Sequence, residues 1–402
     1  MPLRLLLILG ALTAFAPLAI DFYLPSFPAL AQAFATDVEH VQYSLAAYFI
    51  GLAIGQLLYG PLADRFGRRP PLLFGVTLFA LASFACALAP SLDWLVGARF
   101  VQALGGCAGM VVARAVVRDL CNPVNSAKVF SQLMLVMGLA PILAPAAGGA
   151  LLALSGWQSI FVCLGLFAAL CLLLVVLWLP ETRPQDAPPA PLSGALGQYR
   201  RLLADRAFIG HALTGGLAMA AMFAYIAGSP FVFIDLYGVP AQQYGWLFGS
   251  NAAGFVLVAQ FNSRLLRRRG PGFWVPRGVA LYQLCALALF GVVLWQPAAL
   301  WPLLVPLFCC IATLGMVLPN ASACAMAGQG AHAGSASALL GSLQFAIAAL
   351  AASLVGVLHD GTARPMALVM LVCASGALLV AWRTAQYRPD IANPGVVEEG
   401  AR

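Results

Sequence analysis

GPLADRFGRRP, residues 60–70, sets four charged side chains between two long apolar runs, in a chain where only 9% of residues are charged. Gly67 permits the positive-φ backbone that a tight reversal needs. Gly60 removes a side chain where the preceding helix is expected to end, and Pro70 suits the first turn of the next, where its missing N–H costs nothing. Three arginines and an acid in so short a connection mark the cytoplasmic side of a membrane, and Asp64 among them can exchange ion pairs as a switch. The stretch reads as a gating loop carried by Gly60, Asp64, Arg65, Gly67, Arg68 and Arg69, or else as a plain topology signal.

The rest of the chain has the composition that such a loop requires. Of 402 residues, 62% are hydrophobic, and the mean hydropathy is +0.91, beyond what a globular chain of this length presents to water. The net charge of +7 does not point to nucleic acid, because the basic residues form short clusters between apolar runs instead of one aromatic-interleaved face. The ten cysteines, Cys86, Cys163, Cys171, Cys309 and Cys310 among them, fall mostly inside apolar runs. With no C-x-x-C pair and no His at metal spacing they read as small hydrophobes, and no metal site is expected. Ala14-Phe15-Ala16 imitates a signal-peptide cleavage site, but cutting there would discard a helix that the pairing of spans requires.

At about 20 helical residues per crossing, twelve spans are expected. They are 5–24, 41–62, 71–89, 92–117, 129–152 and 157–179, then 207–233, 242–265, 273–295, 300–327, 334–358 and 366–382. The Pro-rich polar stretch between the sixth and seventh divides the chain nearly in half. The expected fold is an all-α membrane protein of twelve transmembrane helices in two six-helix bundles, 1–180 and 207–385. A cytoplasmic linker, 181–206, joins them, and a cytoplasmic tail, 386–402, follows. Arg65, Arg68, Arg69, Lys128, Arg200, Arg201, Arg264 and residues 267–269 all lie beside loops that close an even-numbered span. The opposite loops carry Asp37, Glu39, Asp93, Asp235 and Asp360, with Arg364 the exception, so both termini are expected inside.

Residues 60–70 match every fixed position of G-x-x-x-D-R-x-G-R-R, and so resemble the loop between helices two and three of the major facilitator superfamily. The loop after span eight, FNSRLLRRRGP (261–271), keeps the arginines but has Asn262 and Ser263 where the first copy has Ala63 and Asp64. An ion-pair switch is therefore expected chiefly in the first half. The resemblance implies a substrate site near the midplane between two repeats. It also places the loop against the start of span eleven, where Ser335 would cap a helix whose positive end faces Asp64.

Asp21, inside TAFAPLAIDFYLPSFPAL (13–30), falls past the middle of span one, in its outer half. A carboxylate in hydrocarbon is costly, so such an acid faces a cavity or a partner, or else sits in water at the helix end. Arg99 and Gln102 share a face of span four at comparable depth. Asp21 and Arg99 are therefore expected to pair, as a proton-coupling couple or as a static tie between two helices, while Arg114 and Arg118 read as anchors at the cytoplasmic end. Span five carries Pro141, Pro145, Gly148 and Gly149, which would bend a helix and admit another backbone closely. Tyr23, Gln102, Tyr225, Asn320 and Gln344 are the candidate substrate contacts. Asn251 and Gln260 are further polar residues in apolar spans, and any of these would serve equally to bond one helix to another.

Three of these stretches resemble motifs of the superfamily's drug:proton antiporters. DFYLPSFP is similar to their span-one signature. Arg99-x-x-Gln102 is similar to R-x-x-Q-G, with Ala103 in place of the glycine. Pro141-x-x-x-Pro145-x-x-Gly148-Gly149 is similar to the antiporter motif, with Ala140 and Ala144 where the pattern has glycine. Residues 229–255 and 315–342 resemble the bicyclomycin/chloramphenicol resistance branch. The resemblance implies a proton-coupled exporter of small amphipathic antibiotics, working by alternating access in the bacterial inner membrane, with Asp21 as proton carrier tuned by Arg99. The rival is an exporter or facilitator of an amino acid, sugar or nucleoside, which differs in its energy coupling. There is no Walker loop and no Ser-His-Asp set in a water-facing domain, and His40, His211, His332 and His359 stand apart, so neither an ATPase nor an enzyme is expected. The expected partners are a small-molecule drug, protons and the lipid bilayer, with the chain acting as a monomer, without cofactor or nucleic acid.

Overall fold

In the computed structural model, residues 2–121, 123–183, 192–266, 269–329 and 333–384 are described. The expected tail 386–402, linker residues 184–191, Arg267, Arg268 and His332 lie outside the described residues. Among those described, every regular element is helical.

The first expected span is broken into α1 (Leu3–Thr13), α2 (Phe15–Asp21), a 3-10 turn (Leu24–Ser26) and α3 (Phe27–Ala33), with a bend of 41° between its two parts. Pro17, Pro25 and Pro28 each lack a donor N–H, which breaks the ladder without ending the crossing. The span thus runs to Ala33 instead of stopping at Leu24, and Asp21 moves from the expected outer end toward its middle. Helix α4 (Val38–Phe66) likewise overruns its expected end. It passes through Gly60 and Pro61, so Gly60 lies inside the helix and the reversal is left to Gly67 and Arg68 alone. Then come α5 (Arg69–Ala87), with Pro70 in its first turn, α6 (Leu92–Leu120), α7 (Pro123–Ser155), α8 (Gln158–Trp178) and a linker helix α9 (Leu192–Ala204).

The second half holds α10 (Arg206–Pro230), α11 (Ala241–Leu265), α12 (Pro271–Leu294), α13 (Trp301–Met326), α14 (Ala333–Val357) and α15 (Arg364–Thr384). Asp205 caps α10, its Oδ1 accepting from the N–H groups of Ala207 and Phe208 at 3.0 and 3.2 Å, and after Pro230 the helix continues as a π-turn to Leu236. Nine described helices are long and apolar enough to cross a membrane, and ten if the bent first pair is one span. The other two expected spans fall on α7, whose described apolar part is Leu139–Ser155, and on α11, where Gln242, Gln243, Asn251, Gln260 and Asn262 lower the hydropathy.

Helix α8 shows what surrounds the protein. It buries Phe161, Leu164, Ala168, Cys171 and Val175, yet Leu166, Leu170, Leu173 and Leu177 on its other face are each more than half exposed. A helix apolar on both faces, one of them outward, has lipid as its solvent. The chain groups into two compact units, Met1–Gly197 with Pro240–Gly249, and Gln198–Val239 with the described part of Ser250–Arg402. The division falls inside α9, and the opening turns of α11 go with the first unit. The ten cysteines are all buried or half-buried.

Candidate functional site

The first unit closes around Arg99. Helix α6 starts where Ser91 Oγ accepts the Trp94 N–H at 3.3 Å, and two turns later Arg99 is wholly buried. Its guanidinium carbon lies 4.2 Å from the centre of the Tyr48 ring, 4.7 Å from that of Tyr23 and 5.8 Å from that of Phe161. Arg99 Nη1 donates to Gln102 Oε1 at 2.6 Å, Gln102 Nε2 to Ser83 Oγ at 2.7 Å, and Ser83 Oγ to the Phe79 carbonyl at 2.7 Å. Tyr23 is fixed by its hydroxyl, 2.6 Å from Ser44 Oγ, which itself donates to the Val41 carbonyl. Arg99 Nε and Nη2 have no acceptor. Each ring contact contributes about 1–2 kcal/mol when desolvated, against a desolvation cost of several kcal/mol for the ion. The arginine is thus held at a cost in a place that packing alone would fill with a neutral side chain.

Asp21 does not complete this cluster. It is 3% exposed and makes no hydrogen bond or ion pair among the described residues, so the expected pairing with Arg99 is not formed. The reason is helical phase. Tyr23 turns its ring to Arg99, and two residues earlier a helix faces the opposite way. Nor does Asp21 sit in water at a helix end, since it is buried inside the broken span.

At the other site, Arg68 gathers the loop. Its Nη1 donates to Asp64 Oδ1 at 2.6 Å and to the Ala63 carbonyl at 2.8 Å, and its Nε donates to Asp119 Oδ2 at 2.8 Å. The Arg68 and Asp119 side chains are only 8% and 10% exposed. Burial opposes the Arg68 charge, but the hydrogen bonds and charges of Asp119 and Asp64 outweigh it and hold its pKa above the ordinary arginine value. Gly67 has φ +93°, and a Cβ there would stand 2.6 Å from Glu181 Oε2. Glu181, just past α8, accepts from the N–H groups of Arg68 at 2.8 Å and Arg69 at 3.0 Å. Arg69 Nη2 reaches the Val176 carbonyl, and Arg183 Nη1 the Arg65 carbonyl, at 2.6 and 2.7 Å.

Partial burial pushes the Glu181 carboxyl up, but N–H donation from Arg183, Arg68, Arg69 and Thr182 prevails and holds it below the ordinary 4.5. A depressed acid stabilises the fold above its unfolded value, and the effect is lost as pH falls through the folded one. Melting curves taken from about pH 6 down to about pH 3 should therefore show the unmodified protein losing more stability than Glu181→Gln. Parallel curves would contradict this role.

In α7, the expected close approach is present. A Cβ on Gly148 would collide with the Phe22 carbonyl oxygen, at the break in the first span, and one on Gly149 would stand 2.9 Å from the Ala241 carbonyl oxygen. The helix is continuous through Pro141 and Pro145. Gly148→Val should cost about 3 kcal/mol by overpacking, read as a lower melting temperature and poor recovery of monodisperse protein; recovery equal to that of the unmodified chain would contradict it.

In the second unit, Asn251 Nδ2 donates to Tyr225 Oη at 2.9 Å, and Asn262 and Asn320 exchange amide hydrogen bonds at 3.0 and 2.9 Å. Tyr225 and Asn320 thus tie helices together, and Gln344 is half-buried near Gly215. Ser335 lies inside α14 instead of capping it, and its hydroxyl is hydrogen-bonded to Gln198 Oε1 on α9 at 2.5 Å. Sequence reasoning put Arg99 and Gln102 on one face and singled out Tyr23, which the structure brings to Arg99. It missed Tyr48, Ser83, Phe161, Asp119 and Glu181, of which only Asp119, an acid beside Arg118 at the end of an apolar run, gave a signal.

The model of the Major Facilitator Superfamily matches residues 9–353. An uncharacterized MFS-type transporter, YdgK, of Bacillus subtilis (strain 168) is 39% identical over 379 residues, 92% of this chain and 93% of its own. A bicyclomycin resistance protein homolog of Haemophilus influenzae is 31% identical, over 92% of each chain. Among solved structures, a bacterial homolog of the human lysosomal transporter Spinster has the same fold, with a TM-score of 0.77 at 15% identity, over 98% of this chain and 99% of that one. With a family match over most of its length and drug-resistance proteins among its relatives, this multi-pass membrane chain belongs to the major facilitator superfamily.

Proposed function

We propose that this transporter exports small amphipathic compounds of the chloramphenicol or bicyclomycin kind in exchange for protons, by alternating access. One observation carries the reading: Asp21 is the one buried carboxylate among the described residues, and it has no partner there. A carboxyl group so placed changes the cost of moving its surroundings through the membrane each time it gains or loses a proton. In the proposed cycle a proton from outside neutralises Asp21 and favours the inward-facing state. Drug bound from inside displaces that proton to the cytoplasm and drives the return. Arg99 keeps a fixed positive charge in the same unit, with two donors available to Asp21 or to drug in another state. A mostly apolar site with one acid suits neutral or weakly cationic compounds of varied shape.

The proposal places the chain in the bacterial cytoplasmic membrane with both termini inside, as the arginine distribution favours. A reporter fused after Arg402 should read cytoplasmic, and a periplasmic signal would overturn that orientation. The functional test is a resistance panel in efflux-deficient cells. Expression should raise the inhibitory concentration of chloramphenicol or bicyclomycin, and an uncoupler should abolish the gain. Protection that survives the uncoupler, or none at all, would favour a facilitator or a metabolite exporter.

A further inference from the structure

Helix α9 has no role in the mechanism above, yet it is fastened at both of its fixed points to the ends of membrane spans. Gln198 Oε1 is hydrogen-bonded to Ser335 in the first turn of α14. At its other end α9 stops at Ala204, and the next residue, Asp205, caps α10. Asp205 Oδ2 also accepts from Gln329 Nε2 at 2.9 Å, just past the end of α13. Since α10, α13 and α14 are long and apolar enough to cross a membrane, these ties lie at the boundary between hydrocarbon and water. From Gln198 to Asp205 is about 10 Å along a helix axis, so the axis of α9 runs along that boundary instead of away from it.

At about 100° of turn per residue, the helix divides into three faces. Gln198 and Leu202 share the face toward the protein, where Leu202 is buried. Leu196 and Leu203, two turns apart, share a second, and they are 67% and 51% exposed. Arg200 and Arg201 flank a third with Gly197, where an added Cβ would meet nothing within 4 Å. Both arginines are exposed, as is Arg206, and no acid occurs between Asp186 and Asp205. A helix parallel to a bilayer, with one apolar and one basic face, has the pattern of an interfacial helix. We propose that α9 docks on an anionic phospholipid surface, with Leu196 and Leu203 entering the boundary between headgroups and acyl chains and Arg200 and Arg201 snorkelling to the phosphates. Charge selects this occupant, because a partner protein would cover the leucines equally well, whereas an acid-free arginine face matches a negative leaflet. The inference rests on the membrane-spanning fold and stands apart from proton exchange.

The test is photo-crosslinking of the full-length protein in vesicles of equal phosphatidylglycerol and phosphatidylcholine with identical acyl chains. A benzoylphenylalanine probe is placed at Leu196, Leu203 or Gly197, and its adducts are identified by mass spectrometry. Probes at Leu196 and Leu203 should capture lipid, and the probe at Gly197 about tenfold less. Phosphatidylglycerol should be captured about fivefold over phosphatidylcholine. With Arg200→Gln and Arg201→Gln together, that preference should fall to near parity while lipid is still captured, and Arg383→Gln, at an exposed arginine on α15, should leave it unchanged. As much lipid on the Gly197 probe as on the Leu203 probe, or adducts to protein in place of lipid, would overturn the docking. Equal capture of the two lipids by the chain with its arginines intact, or a loss in Arg383→Gln matching that in the double variant, would overturn the headgroup contact.

Discussion

Asp21→Asn is expected to abolish resistance while leaving the protein folded and in the membrane. The amide has the shape of the carboxyl group, and no described partner is lost, so the melting temperature should change by no more than about 1 kcal/mol of stability would produce. Drug should still bind, as judged by quenching of intrinsic fluorescence, because the substitution fixes the site in its neutral form. What disappears is the step in which a proton is accepted on one side and released on the other. Retained resistance at equal expression would place the carrier elsewhere and make Asp21 a structural residue of the broken span.

The second large effect is expected at the other end of the first unit. Asp119→Ala leaves Arg68, which is 8% exposed, with Asp64 as its remaining carboxylate, and Asp64 is 48% exposed. Removing one partner from a largely buried pair costs about 3 kcal/mol, because the other charge stays buried. Melting should fall accordingly, and turnover should fall about tenfold if the network must re-form in each cycle, a barrier change near 1.4 kcal/mol. Asp119→Asn, which keeps an acceptor, should lie between. An unchanged turnover in Asp119→Ala would reduce residues 60–70 to a topology signal.

The fold was legible in the sequence because bilayer-length apolar runs and clustered arginines are one-dimensional signals. The Arg99–Gln102 bond was legible too, since residues three apart share a helix face, and so was Gly148, whose missing side chain has no use except a close approach. Three things were not. Pro17, Pro25 and Pro28 look like stops, but with no water to compete for the backbone the chain resumes its helix beyond them. That break makes helical phase the deciding factor, and depth alone had suggested that Asp21 would face Arg99. Glu181 binds backbone N–H groups, which no pattern of side chains announces. Asn262, inside the expected span 242–265 but matched to the loop motif 261–271, stands in α11 opposite Asn320, a partner that nothing in its own stretch announces.

The most direct measurement is drug uptake into everted proteoliposomes with an imposed pH gradient, acid inside. Proton exchange through Asp21 predicts that the unmodified protein concentrates chloramphenicol or bicyclomycin until the gradient is collapsed. Asp21→Asn should give no more uptake than protein-free vesicles, while still exchanging labelled for unlabelled drug. Uphill accumulation by Asp21→Asn at the unmodified rate would contradict the account.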